Sequence, residues 1–192
     1  MLGAKIRAER RVLGLSLRGL ASRIGVSPSL ISQIERGQAT PSVATLWSIA
    51  TELGLSIADL FDGAAPGGKR GGSPVQPFES RKTLTLAGGV RWERLTVAPD
   101  DEIDFVYVFY PVGAESCAED AIAQHGGREF GYVISGTLGV RIGFEDHVLR
   151  ANDSISFKSS MPHRLWVIGG EPVQAIWMVI HRSGDPRTAG FE

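Results

Sequence analysis

Two histidines and a glutamate are the residues of this 192-residue chain best suited to hold a cation. His125 and Glu129 stand four apart in HGGRE, ahead of the run FGYVISG that ends at Gly136. His163 follows Met161-Pro162, beyond the run LRANDSISF at 149–157. Imidazole and carboxylate from neighbouring strands can converge on one divalent cation, the two-histidine-one-carboxylate arrangement. The same three residues are compatible with ordinary hydrogen bonding in a polar core, and their spacing leaves both readings open. Arg141 and Arg164 could pair with an acidic effector or simply lie at the surface. The single cysteine, Cys117, could sense oxidation only if exposed and with a lowered pKa.

A second set of residues suits the edges of DNA bases. Ser27, Pro28, Ser29, Ser32, Gln33 and Arg36 follow one another along SPSLISQIER, with Thr40 just beyond. Gln33 can make a bidentate pair with adenine, while the serines can touch bases or phosphates. Each residue alone could equally be a solvated position on an amphipathic helix.

The elements that would carry this face are legible around it. Leu17, Leu20, Ala21 and Ile24 recur at helical spacing, as do Leu30, Ile31 and Ile34. Between them Gly25-Val26-Ser27 reads as a tight turn, with Ser27 as N-cap and Pro28 at the first helical position. Gly25 and Gly37 fall where helices end. Two helices joined by three residues form a helix-turn-helix, whose second helix enters the major groove. A preceding helix is expected over Leu2–Leu13, with Ile6 and Leu13 facing inward. Ser16 can cap the helix after it. Ser42 caps a fourth helix, SVATLWSIATEL, whose stripe is Val43, Leu46, Trp47, Ile49, Ala50 and Leu53. Ser56 opens a fifth, with Asp59 completing a capping box.

Residues 62–75 are rich in glycine and proline without apolar periodicity and read as a flexible linker. From there the pattern changes to short runs of β-branched and aromatic residues between turn signals, from KTLTLA and VRWERLTV through IDFVYVFYP to VQAIWMVIH. Such a rhythm predicts a β-sandwich or barrel. The expected division is a helix-turn-helix domain at 1–61, a linker at 62–75, an all-β domain at 76–183 and a tail at 184–192. Among the strand aromatics, most belong to a core, and Tyr107, Phe109, Tyr132 and Trp166 are the residues expected to line a pocket.

Charge supports the division. Residues 1–61 carry seven Lys/Arg against four Asp/Glu, a net of +3, whereas the remainder carries −4. Positive charge gathers where phosphates would be met. No run approaches the ~20 apolar residues of a membrane span. The N-terminus lacks the apolar core of a signal peptide, and one cysteine excludes an internal disulfide, so a cytoplasmic protein is expected.

Residues 4–61 resemble the phage-repressor-like, Xre-type helix-turn-helix domain, through the recognition helix, the ERG turn at 35–37 and the PSVATL helix start. The resemblance implies that Arg10 pairs with Glu35, making Glu35 structural. Leu17 departs from the glutamine that many members carry at the start of the second helix, where it touches the DNA backbone. Residues 76–182 resemble a small cupin, a double-stranded β-helix or jelly-roll barrel. His125, Glu129 and Gly136 match its first motif and His163 its second, with Ala123 at the first histidine position and Asn152 in place of a usual glycine. Three of four family ligands therefore remain. This permits either a divalent metal (Zn, Fe, Mn or Ni) with open positions or a metal-free pocket.

The combination implies a transcriptional regulator that binds a double-stranded DNA operator. Its cupin would sense a small-molecule effector and form a homodimer. The alternative is a metal-dependent cupin enzyme, a dioxygenase or isomerase, fused to a DNA-binding domain.

Overall fold

The computed structural model describes residues 2–61, 73–100, 102–119, 121 and 123–180. Nearly all of the expected linker at 62–75, and the whole tail at 184–192, lie outside the described residues.

Five helices come first: α1 (Leu2–Val12), α2 (Leu17–Arg23), α3 (Pro28–Glu35), α4 (Val43–Leu53) and α5 (Ile57–Leu60). Serine opens each of the last four. Ser16, Ser27, Ser42 and Ser56 accept the N–H groups of Gly19, Leu30, Thr45 and Asp59, donors that the helix itself cannot satisfy. Asp59 returns the bond to Ser56 N–H at 3.0 Å, closing the capping box. Gly25 and Gly37 adopt φ of 71° and 69°, a left-handed conformation that glycine enters without a Cβ penalty. At Gly25 the chain can thereby turn from α2 into α3 within the four residues 24–27. Leu13 departs from expectation. α1 ends at Val12 and Leu13 is 41% exposed, while Leu15 is the residue that packs against the core.

Nine strands follow among the described residues: β1 (Thr83–Thr85), β2 (Arg91–Arg94), β3 (Ile103–Tyr110), β4 (Arg128–Ser135), β5 (Leu138–Ile142), β6 (Glu145–Leu149), β7 (Ser154–Lys158), β8 (His163–Val167) and β9 (Val173–Ile180). They form two antiparallel sheets, β1-β2-β3-β9-β4-β7 and β6-β5-β8, the jelly-roll of a cupin. Alternation along each strand decides what enters the barrel. On β3, Asp104, Val106, Val108 and Tyr110 point in, and Ile103, Phe105, Tyr107 and Phe109 point out. On β9, Val173, Ala175, Trp177 and Val179 are buried.

The helical domain is seated on this barrel, and one apolar cluster runs through both. α4 explains how. An amphipathic helix on a small domain buries one stripe, yet α4 buries seven of its eleven residues. Leu46, Ile49, Ala50 and Leu53 carry the helical stripe. Val43 and Trp47 border the barrel cavity, and Ala44 clusters with Cys117 and Ala123 of the β domain. Helix starts supply polar contacts. Ala44 N–H donates to Ser116 O at 3.2 Å, and Ala58 N–H donates to the buried Asp104 carboxylate at 2.8 Å. Ala87 N–H reaches back to Pro41 O at 2.9 Å.

Candidate functional site

The barrel interior holds the first candidate site. His125 lies just before β4, Glu129 on β4 and His163 at the start of β8, and all three are buried. Ala123 and His163 exchange backbone bonds of 3.0 and 2.9 Å, which fixes the two segments against each other. One ligand atom from each of His125, Glu129 and His163 lies within 4.8 Å of the others. Glu129 Oε1 is 3.1 Å from Nε2 of both histidines.

The histidine tautomers follow from the outer bonds. Nδ1 of His125 is 3.0 Å from Gly126 O, and Nδ1 of His163 is 2.9 Å from Met161 O. A carbonyl only accepts, so each Nδ1 carries a proton, and in the neutral imidazole each Nε2 turns a lone pair inward. Histidine ligands of metals are held in this way, by outer hydrogen bonds that set the tautomer. Two lone pairs and a carboxylate then face one another. Although the spacing is short, His125 Nε2 and Glu129 Oε1 have no hydrogen-bond partner among the described residues. Burial pushes the Glu129 carboxyl up, but positive charge on the imidazoles, when they carry it, and the Trp177 indole N–H, 2.7 Å from Oε2, hold it below the usual carboxylate range. Burial also pushes His163 down, against the pull of Glu129, keeping it neutral. Inward-facing acceptors without donors fit a divalent cation, and this nitrogen-and-oxygen set suits Zn, Fe, Mn or Ni.

Gly131 has a definite task here. It pairs with Trp177 across β4 and β9, and a Cβ at residue 131 would fall 2.2 Å from the indole ring. Only glycine lets the indole lie flat on β4 and reach Glu129.

Beside the triad is a cavity of about 30 Å3, lined by Trp47, Trp92, Tyr110, Trp177, Glu129 and His163 among other residues. That is room for about two waters. Tyr107, Phe109, Tyr132 and Trp166 do not line it. Strand alternation turns Tyr107 and Phe109 outward on β3, and Tyr132, 43% exposed, lies on the outer face of β4. Trp166 covers Gly139 on the neighbouring strand, with Arg141 and Arg164 stacked near its ring. Those arginines pair with Asp146 and Glu115, so neither faces the cavity. Cys117 is buried, and burial raises its thiol pKa.

Trp47 was legible as an apolar helix residue, yet its ring stacks on the His125 imidazole, centroids 3.8 Å apart and planes 8° apart. No local signal in the sequence marks that contact, because its partner is 78 residues away.

The second candidate site is the exposed side of α3. Ser27, Pro28, Ser29, Gln33, Arg36 and Thr40 are exposed and Ser32 is half-buried. Ser27 Oγ accepts Leu30 N–H at 3.1 Å, so the hydroxyl keeps its proton and one lone pair for an outside partner. Arg36 is held by Ser32 Oγ and by Gln38 Oε1. Behind the helix, Arg10 Nε and Nη2 donate to the two Glu35 oxygens at 2.6 and 2.9 Å. The Arg10 guanidinium pKa is raised by that carboxylate. Glu35 is thus turned away from the outer face. Arg7 and Arg11, exposed one turn apart on α1, line a shallow hollow with Leu17, Ser32 and Arg36. Sequence reading passed over these two arginines as contacts, although their i, i+4 spacing placed them on one face.

Comparisons with known proteins agree with both halves. A helix-turn-helix family model matches residues 6–60 and a cupin-domain model matches 106–179. The chain is 26% identical over 181 residues to the HTH-type transcriptional regulator SutR of Escherichia coli, covering 94% of each chain. It is 38% identical over 58 residues to the uncharacterized HTH-type transcriptional regulator YazB of Bacillus subtilis, covering 30% of this chain and 84% of that one. The crystal structure of an HTH_3 family transcriptional regulator from Vibrio cholerae superposes with a TM-score of 0.67 at 24% identity, covering 95% of this chain and 96% of that one. No helix among the described residues is long and apolar enough to cross a membrane. A capped helix-turn-helix seated on a jelly-roll places this chain in the HTH-type transcriptional regulators, with an Xre-type DNA-binding domain and a C-terminal cupin domain.

Proposed function

We propose that this regulator reads operator DNA in the cytoplasm through α3 and that its cupin domain is the sensor. The effector is a divalent cation, or a small molecule bound through one, held by His125, Glu129 and His163. The observation that carries the sensor reading is the convergence of the Nε2 atoms of His125 and His163 on one buried carboxylate oxygen, 3.1 Å from each, with the outer Nδ1 atoms held by carbonyls. A cation supplies the positive charge that such a set lacks.

On the DNA side, Gln33 offers a bidentate pair to adenine, and Ser29, Ser32 and Thr40 offer shorter contacts. Ser27, Pro28 and Arg36 flank them at the two ends of α3. Arg7 and Arg11 provide charge for the phosphate backbone.

A homodimer is the working form. The outer face of the six-stranded sheet carries Phe105, Phe130, Ile176 and Met178, bordering one shallow groove where water-facing strands ordinarily carry polar groups. A second copy seated there would present two α3 helices, as half-sites about 34 Å apart require. The matched curated relatives are regulators, which favours a sensor over an enzyme.

The test is metal analysis of protein purified without added metal, followed by selection of bound sequences from random DNA. We expect a stoichiometric transition metal that Glu129→Ala loses. We also expect a selected site that Gln33→Ala discriminates less well, by about 1–3 kcal/mol. Protein that takes up no metal even when supplied, or unchanged site discrimination in Gln33→Ala, would overturn the respective half of the reading.

A further inference from the structure

We propose that Trp47 is the positioning residue through which the barrel site holds the DNA-binding domain. The proposal deepens the sensor reading, and its metal-dependent part rests on it.

The contact joins the two functions directly. Trp47 belongs to α4, which shares one apolar cluster with Ile31 and Ile34 of α3. Its indole lies parallel to the imidazole of His125, with centroids 3.8 Å apart, and edge-on to Trp92 at 6.5 Å. The His125 ring is a fixed platform. Its backbone N–H donates to Ser159 O at 3.1 Å, and its Nδ1 is bound to Gly126 O. The position where a fourth cupin ligand would stand is Ala123. Its methyl group packs with Ala44 of α4 and Cys117. The small side chain at 123 lets α4 approach, so a ligand position has become a seat for the helix.

The sign of the coupling follows from charge. A cation on Nε2 withdraws electrons from the His125 ring, and an electron-poor ring stacks more strongly on an indole face. Cation binding therefore tightens the seat of α4 and fixes where α3 is held. By linkage, seating tightens cation binding by the same factor. With only about 30 Å3 free beside the triad, a bare ion is accommodated with α4 in place. Any larger organic occupant has to displace residues that line the cavity, of which Trp47 is one.

The test uses nickel(II) and the full chain. Calorimetric titration gives the affinity, and hydrogen exchange read by mass spectrometry gives the opening of α4. We expect nickel to slow α4 exchange in the wild type by about tenfold. Trp47→Leu should lose that slowing and bind nickel about tenfold more weakly, although residue 47 is no ligand. Trp47→Phe should recover most of both effects. A purely space-filling role would let leucine serve as well as phenylalanine. Equal nickel affinity in the wild type and Trp47→Leu, or α4 exchange indifferent to bound nickel, would overturn the proposal. A metal-free arm decides the contact alone: His125→Leu should speed α4 exchange relative to α1, and unchanged exchange overturns the seat. A wild type that takes up no nickel would instead defeat the cation reading of the barrel, leaving the metal-free arm to decide the role of Trp47.

Discussion

Asp104 gives the most direct measure of how firmly the two domains are joined. Its carboxylate is 2% exposed and accepts Ala58 N–H at 2.8 Å, at the first turn of α5. In Asp104→Ala that N–H stays buried and loses its acceptor. A hydrogen bond to a charged group contributes about 1.5–3 kcal/mol, so the expected loss is about 2 kcal/mol. For a chain of this size 1 kcal/mol moves the melting midpoint by about 2–4 °C, giving a fall of about 4–8 °C. Asp104→Asn keeps an acceptor oxygen but loses the charge. Charge-assisted bonds are about twice as strong as neutral ones, so the amide should lose about half as much. Differential scanning calorimetry of the full chain is the assay. A continuous core predicts one transition in the wild type, and Asp104→Ala should lower it or split off an earlier helical component. Midpoints of both variants within about 1 °C of the wild type would refute the reasoning, since the bond would then contribute nothing to domain union.

Three further outcomes are expected. Glu35→Ala leaves the Arg10 guanidinium, 8% exposed, without its carboxylate, and should cost about 3 kcal/mol in chemical denaturation; replacing both residues by methionine should recover much of this. Gly131→Ala forces the Trp177 ring away from β4 and breaks its bond to Glu129, so metal affinity measured by competition with a chelator should fall about 10- to 100-fold. Ile176→Arg places a charge on the outer sheet face at the centre of the proposed dimer, and sedimentation should find monomers with the far-ultraviolet circular dichroism of the wild type.

Local chemistry made much of the architecture readable in advance. Ser16, Ser27, Ser42 and Ser56 announce helix starts because a hydroxyl before an apolar period satisfies backbone donors, and all four do so here. The strand runs were equally plain, since each lies between turn residues. The Arg10–Glu35 pair came from motif resemblance, because nothing local links residues 10 and 35, whereas the triad was offered by residue type and matched by the motif. Pocket lining was misread for a simple reason: Tyr107 and Phe109 look like cavity aromatics until the register of β3 is known, and a one-residue change of phase sends them outward. Trp47 was hidden differently. A buried residue on an amphipathic stripe reads as core of its own domain, and the second burial face of α4 appears only once the barrel is in place.

The place of β9 in the sheet has a consequence for the newborn chain. Although it is the last of the described strands, β9 lies between β3 and β4 in the middle of the six-stranded sheet. On the ribosome, β3 and β4 must therefore wait for residues 173–180 to emerge before the sheet can join. The helical domain, made of local contacts, is complete more than a hundred residues earlier. During that interval Val43, Ala44 and Trp47 have no barrel to cover them, while α3 is already formed. A nascent regulator thus owns its DNA-reading surface before it owns the means of governing it. Trp47 is the apolar surface that a chaperone would find uncovered in the meantime.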